Sequence, residues 1–237
     1  VLFTCFFLAA ASTYWHYISS GKSKTYVFAL LLFLASLLSK ATAVTLPLVL
    51  LLLDYYKGRK LNMQLIIEKI PFFILSIIFG LLTIKYQSQG AIGDLDDFSA
   101  LERIMFASYG FVMYALKFLL PFNLSAFYPY PATENMPILF KIAPLLAVIM
   151  LALAAFSLKK TKVIAFGLTF YAFTVFLTLQ FISVGGAVMA DRYTYVPYIG
   201  LSFIVAYYLN ELLDTKKSKN ENLKYGTLVG LSIAIFA

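Results

Sequence analysis

The chain has 237 residues, 62% hydrophobic, 17% aromatic and only 13% charged, with a formal net charge of +8. A soluble globular chain carries about 25% charged residues, so this one cannot cover a water-facing surface. Its apolar runs are long enough to cross a hydrocarbon core of about 30 Å, and their continuity argues against a membrane β-barrel, which alternates in segments of about ten residues.

The first predicted span is residues 1–18. It closes on Tyr14, Trp15, His16 and Tyr17, which read as an interfacial aromatic belt. His16 is the single histidine, so it reads as interfacial rather than as a metal ligand. The chain opens at Val1 inside an apolar run, with no basic residue before it and no cleavage pattern, so the reading is an excerpt of a longer protein rather than a signal peptide. Cys5, the single cysteine, excludes a disulfide framework or a cysteine metal site within the chain and reads as a small buried hydrophobe.

A basic loop with Lys22 and Lys24 follows, then apolar residues 25–56 interrupted at Lys40, then a second basic loop with Lys57, Arg59 and Lys60. Basic loops on both sides require an even number of crossings. The simplest solution is a hairpin of spans 25–39 and 42–56 with Lys40 at its tip. Pro47 then falls in the first turns of the returning helix, where its missing N–H costs little. Span 65–86 has Pro71 near its start and leads into an acidic segment carrying Asp94, Asp96, Asp97 and Glu102.

Residues 101–120 are apolar but hold Arg103, Tyr109, Tyr114 and Lys117. A crossing here would carry Lys159, Lys160 and Lys162 to the outer side, so the segment reads as an interfacial or re-entrant helix on the outer face. The remaining spans are 138–158, 163–184, 196–213 and 225–237. The expected fold is therefore an all-α polytopic membrane bundle in a single domain. The lysines fall in inner loops, which speaks for orientation and gives no case for a nucleic-acid partner. On this topology Lys40, residues 87–137 and residues 185–195 share the outer face.

Three constellations there could carry chemistry. Asp191-Arg192-Tyr193 interrupts two apolar runs; the arginine fork suits phosphate or carboxylate, while a local Asp–Arg pair beside a tyrosine belt is the equal alternative. Lys40 is either a snorkelling lysine or a second cationic contact to an anionic head group. The proline-tyrosine stretch 120–131 is held extended by its X-Pro steps; Tyr128 and Tyr130 there either face a sugar or anchor an interfacial turn. Asn123-Leu124-Ser125 is a sequon of the kind that arises by chance. The acids Asp94, Asp96, Asp97, Glu102 and Glu134 offer a base or metal ligand, or are solvated. No Ser/His/Asp set, zinc spacing, P-loop or dinucleotide fingerprint occurs.

The strings LLSKATAVTLPLVLLLLDYY, EKIPFFILSIIFGLLT, LKFLLPFNLSAFYPYP and MADRYTYVPYIGL stand in this order. Together they resemble the membrane region of the transmembrane and tetratricopeptide-repeat O-mannosyltransferases and their bacterial relatives, in the GT-C class. The resemblance implies a multi-pass enzyme, expected in a bacterial inner membrane with its site on the extracytoplasmic side. It would move a sugar, mannose in the relatives, from a polyprenyl-phosphate donor to a protein hydroxyl. Its partners would be membrane lipids, that donor and an acceptor protein, with no cofactor or metal assigned.

Carried over, Lys40 and Arg192, with Tyr193 beside it, approach the lipid phosphate; Asp191, Tyr128 and Tyr130 line the substrate path. Animal members follow the lysine with glutamate, whereas Ala41 stands here. The acidic catalytic base is expected upstream of Val1 and the repeats beyond Ala237. Two other functions are compatible with the same residues: a transporter or flippase of a lipid-linked sugar, and a non-catalytic anchor for downstream repeats.

Overall fold

A computed structural model describes residues 1–60, 62–87, 98–131, 136–179, 181 and 186–215. The predicted span 225–237 and the acids Asp94, Asp96, Asp97 and Glu134 lie outside the described residues. Among those described there are eight α-helices: α1 (Leu2–Ser20), α2 (Ser23–Ser39), α3 (Leu46–Lys57), α4 (Met63–Gln87), α5 (Ala100–Leu119), α6 (Ile138–Ser157), α7 (Lys162–Val175) and α8 (Pro197–Thr215). The protein is mostly helical. Two of the helices, over Met63–Tyr86 and Ile138–Ser157, are long and apolar enough to cross a membrane.

Those two are also poorly covered by the rest of the protein. Ile66, Ile70, Ile74 and Ile77 of α4 and Leu145, Val148 and Leu153 of α6 are exposed, although burial of each such side chain would be worth about 1.5–3 kcal/mol. A hydrocarbon solvent removes that contradiction.

Local chemistry sets the breaks. Gly21 takes a left-handed conformation (φ 67°) and returns its N–H to Tyr17 O, which closes α1 and reverses the chain into α2. Lys40 is extended (φ −163°, ψ 129°) and ends α2. A 3-10 turn over Ala41–Thr45 follows, and α3 starts with Pro47 in its first turn. The chain thus reverses at Lys40 as expected. Ser99 and Glu102 form a capping box at the start of α5: Ser99 Oγ accepts from Glu102 N at 3.3 Å, and Glu102 Oε2 accepts from Ser99 N at 2.8 Å.

Four expectations need correction. The span expected over 163–184 is shorter, because α7 stops at Val175 and a 3-10 turn covers Phe176–Thr178. The hydroxyls of Thr174 and Thr178 donate back to Phe170 O and Val175 O, both at 2.7 Å, an alternative to continued helix. The bundle is not purely helical either: β1 (Tyr128–Pro129) pairs antiparallel with β2 (Ala187–Met189), Tyr128 opposite Met189. Cys5 is exposed rather than buried, because α1 turns its Phe7–Ala10–Tyr14 stripe to the core and Cys5 lies on another face. Tyr14 is fully buried and leaves the expected belt.

Two apolar clusters fill the interior. One gathers Phe7, Phe33, Leu50, Phe72 and Phe166 among α1–α4 and α7; the other gathers Phe106, Tyr114, Phe140, Tyr171 and Met189 around α5–α7 and β2. Helices α7 and α8 meet at Gly167 and Gly200, where a Cβ on either glycine would stand 2.5 Å from the other's carbonyl oxygen.

A charged cluster ties the first four helices together at one end. Tyr14 OH donates to Asp54 (3.0 Å to Oδ2), and Lys69 pairs with Asp54 Oδ2 at 2.5 Å while also bonding the Tyr14 hydroxyl. Arg59 Nη1 donates to Asp54 Oδ1 at 2.8 Å, and the Arg59 fork holds both oxygens of Glu68 at 2.9 and 3.1 Å. Tyr26 OH adds α2 by donating to Glu68 O at 2.9 Å. The α6–α7 loop joins the same end, since Tyr55 OH donates to Leu158 O at 2.8 Å.

Candidate functional site

The opposite ends of the same helices carry the other polar group. Lys40 ends α2, and its neighbours Thr42 and Thr45 occupy the turn into α3. From far along the chain, the β2 strand delivers Ala190 into a 3-10 turn over Asp191–Tyr193. Tyr114 of α5 fixes that delivery, its hydroxyl accepting from Ala190 N at 2.9 Å and lying 3.2 Å from Ala190 O.

Lys40, Arg192 and Tyr193 meet there. Lys40 Nζ lies 5.3 Å from the centre of the Tyr193 ring and 5.4 Å from that of Phe3; Arg192 Cζ lies 5.3 Å from the same Tyr193 ring. Both cations therefore contact one aromatic ring. Arg192 Nη1 also donates to Ala126 O at 3.3 Å. Among the described residues neither cation forms an ion pair. The small cavity they enclose is completed by Thr42, Thr45, Thr174, Thr178 and Tyr195, with no carboxylate in its lining.

Asp191 turns the other way. Its Oδ2 accepts from Ser125 N at 2.6 Å and from Tyr128 OH at 2.7 Å, so it holds the proline-tyrosine turn rather than neutralising Arg192. Burial first, and then the hydrogen bond to Asp191, push the Tyr128 phenol above its ordinary value, so it remains a donor. Lys117 supports this turn by donating to Phe122 O and Asn123 O, both at 2.9 Å, with its Nζ 4.9 Å from the Tyr128 ring centre. Asn123 takes a left-handed conformation (φ 52°) that asparagine tolerates.

Tyr128 thus reaches the site through Asp191. Tyr130 does not line it: its ring packs between Phe98 and Phe106, at 4.8 and 5.0 Å, in the second apolar cluster. Glu102 is used in capping α5, and the bonds from Ser99 hold its carboxyl below the usual value. Among the described residues no group of three or more His, Cys, Asp or Glu could hold a metal ion.

A second, much larger cavity of about 710 Å³ opens beside the first. It runs between α3, α5, α6 and α7, and nearly all its lining is apolar, with Leu48, Phe111, Val148 and Phe173 among the walls. Thr45 lines both cavities, so the cationic end and the apolar groove are neighbours on either side of it.

The four threonines and the groove escape sequence reasoning. A threonine in an apolar run has no distinguishing spacing, and the groove exists only where four separate helices meet. The sequence strings around Asp54 and Glu68-Lys69 do carry the charged cluster, whose signal is ionisable residues inside apolar runs.

Comparison with known proteins returns no matching family model, no matching curated protein and no matching solved structure.

Proposed function

We propose that the chain forms the multi-pass membrane region of a glycosyltransferase that takes a sugar, mannose by resemblance, from a polyprenyl phosphate to a protein hydroxyl. One observation carries the reading. Two cations from distant segments, unpaired with any acid among the described residues, converge beside an apolar groove of about 710 Å³, with Thr45 lining both. A ligand with an anionic head and a long apolar tail matches both halves. The lipid phosphate is the leaving group, and fixed cations stabilise the charge that develops on it.

The two ends of the bundle differ in charge, which supports a reading of sidedness. Lys57, Arg59, Lys159, Lys160 and Lys162 sit with the charged cluster, opposite Lys40 and Arg192. Basic loops tend to stay in the cytoplasm, and this supports reading the site as extracytoplasmic, in a bacterium at the inner membrane. Helix α5 suits that face: Phe98, just before it, stacks on Tyr130, while Lys117 in its last turn holds the same loop.

A second reading rests on a different feature. Transfer needs a carboxylate to take the acceptor proton, and no carboxylate lines either cavity among the described residues. A transporter of a lipid-linked sugar needs only the anion site.

The test uses the full-length protein reconstituted with a labelled polyprenyl-phosphate sugar and a protein acceptor. Wild type transfers label, whereas Arg192→Ala and Lys40→Ala lose transfer at unchanged expression and insertion. Full transfer by Arg192→Ala removes the cationic pair from the mechanism. Movement of labelled lipid across the vesicle, without transfer, selects the transporter.

A further inference from the structure

We propose that Tyr193 is a built-in occupant of the anion site, its ring standing where the phosphoryl group belongs until a phosphate displaces it. The inference rests on the reading above that Lys40 and Arg192 receive a lipid phosphate, and it assigns Tyr193 a different role from that of a ligand contact.

Three observations carry it. First, both cations lie 5.3 Å from the centre of the same ring, and beyond it Lys40 has only the Phe3 ring and Arg192 only Ala126 O among the described residues. Lys117 and Lys69, which also lie over tyrosine rings, have further partners: Lys117 holds two carbonyls and Lys69 holds Asp54. The negative face of an aromatic ring is a weak stand-in for an anion.

Second, the space left between the groups is about 20 Å³. That admits about one water and excludes a phosphoryl group, so an anion cannot enter while the ring stays. Third, hydrogen bonds hold the backbone of the turn, whereas the ring is held by apolar packing on the second cluster alone. Asp191 is fixed by Ser125 N and Tyr128 OH, and Tyr193 N donates to Ala190 O at 3.0 Å. The Tyr193 hydroxyl makes no hydrogen bond among the described residues, and the side chain is only partly buried. A χ1 rotation that gives up part of this packing would open the site without breaking a hydrogen bond of the turn.

The device sets a threshold for ligands. A neutral prenol or sugar offers the cations nothing better than the ring, whereas a phosphate offers full charge and strong acceptors. The apparent affinity for phosphate is lowered by the fraction of molecules whose ring is out.

The experiment measures binding of a labelled polyprenyl monophosphate to the full chain in nanodiscs. Tyr193→Leu, which empties the site, tightens binding about fivefold, the size of a lost exposed cation–π contact. Phenylalanine carrying ring fluorines at position 193 keeps the shape but weakens the negative face, and it tightens binding as well. Arg192→Ala weakens binding about tenfold or more. If Tyr193→Leu or the fluorinated ring binds more weakly or the same as wild type, the proposal is overturned while the anion site stands. If wild type fails to bind the monophosphate, or Arg192→Ala binds normally, the underlying anion reading fails and takes this proposal with it.

Discussion

Replacing Asp54 by leucine gives the sharpest test of how the bundle holds together. Asp54 is the hub of the charged cluster, accepting from Tyr14, Arg59 and Lys69, and its side chain is 2% exposed. Lys69 is 1% exposed, so Asp54→Leu strands its ammonium with the Tyr14 hydroxyl as its remaining partner. Removing one partner of a buried pair costs about 3–5 kcal/mol, and at about 2–4 °C per kcal/mol for a chain of this size the melting midpoint falls on the order of 10 °C. Lys69→Met costs less, because Asp54 keeps Tyr14 and Arg59. The double variant Asp54→Leu/Lys69→Met leaves the neutral Arg59–Glu68 fork intact and recovers most of the loss. Thermal unfolding in detergent, followed by loss of the monodisperse chromatographic peak, measures all three. A double variant that melts no higher than Asp54→Leu would refute the pairing argument, as would an Asp54→Leu protein with the wild-type midpoint.

Other consequences are more local. Gly200→Ala sets a Cβ 2.5 Å from Gly167 O, so α7 and α8 must separate; overpacking of this kind costs about 1–3 kcal/mol. By contrast Gly80→Ala meets nothing within 4 Å and raises the midpoint slightly through helix propensity. Ser99→Ala removes the α5 cap, a loss of about 1 kcal/mol, read as faster hydrogen exchange of the first-turn amides. Because the folded pKa of Glu102 is depressed by Ser99, its share of that protection is complete above the ordinary glutamate value of about 4.3 and disappears as pH falls through the lower folded value. Protection unchanged between neutral pH and pH 3 would contradict it. Tyr128→Phe withdraws one of two donors from Asp191 Oδ2 and weakens polyprenyl-phosphate binding several-fold at unchanged melting midpoint; unchanged binding detaches that turn from the site.

Composition and apolar run length were enough to locate most helices. Residues 138–158 became α6 (Ile138–Ser157), residues 196–213 became α8 (Pro197–Thr215), and the break at Lys40 fell where α2 ends. These are local properties: an α-helix closes its backbone hydrogen bonds within one segment, and its ends are marked by nearby residues such as Gly21, Lys40 and Pro47. A count of basic loops put Lys40 and Arg192 on one expected face, and in the fold the two lie over the same Tyr193 ring.

Tertiary structure decided the rest. That Tyr14 joins Asp54 and Lys69, that Tyr130 packs on Phe98 and Phe106 away from the cations, and that α7 ends at Val175 all depend on partners distant in sequence. So do the threonine lining, the groove, and the single ring shared by two cations. In an all-round apolar helix no periodicity marks which side faces protein and which faces lipid. Close packing of one helix on another makes that choice, and it sets the positions of the few polar groups along with it.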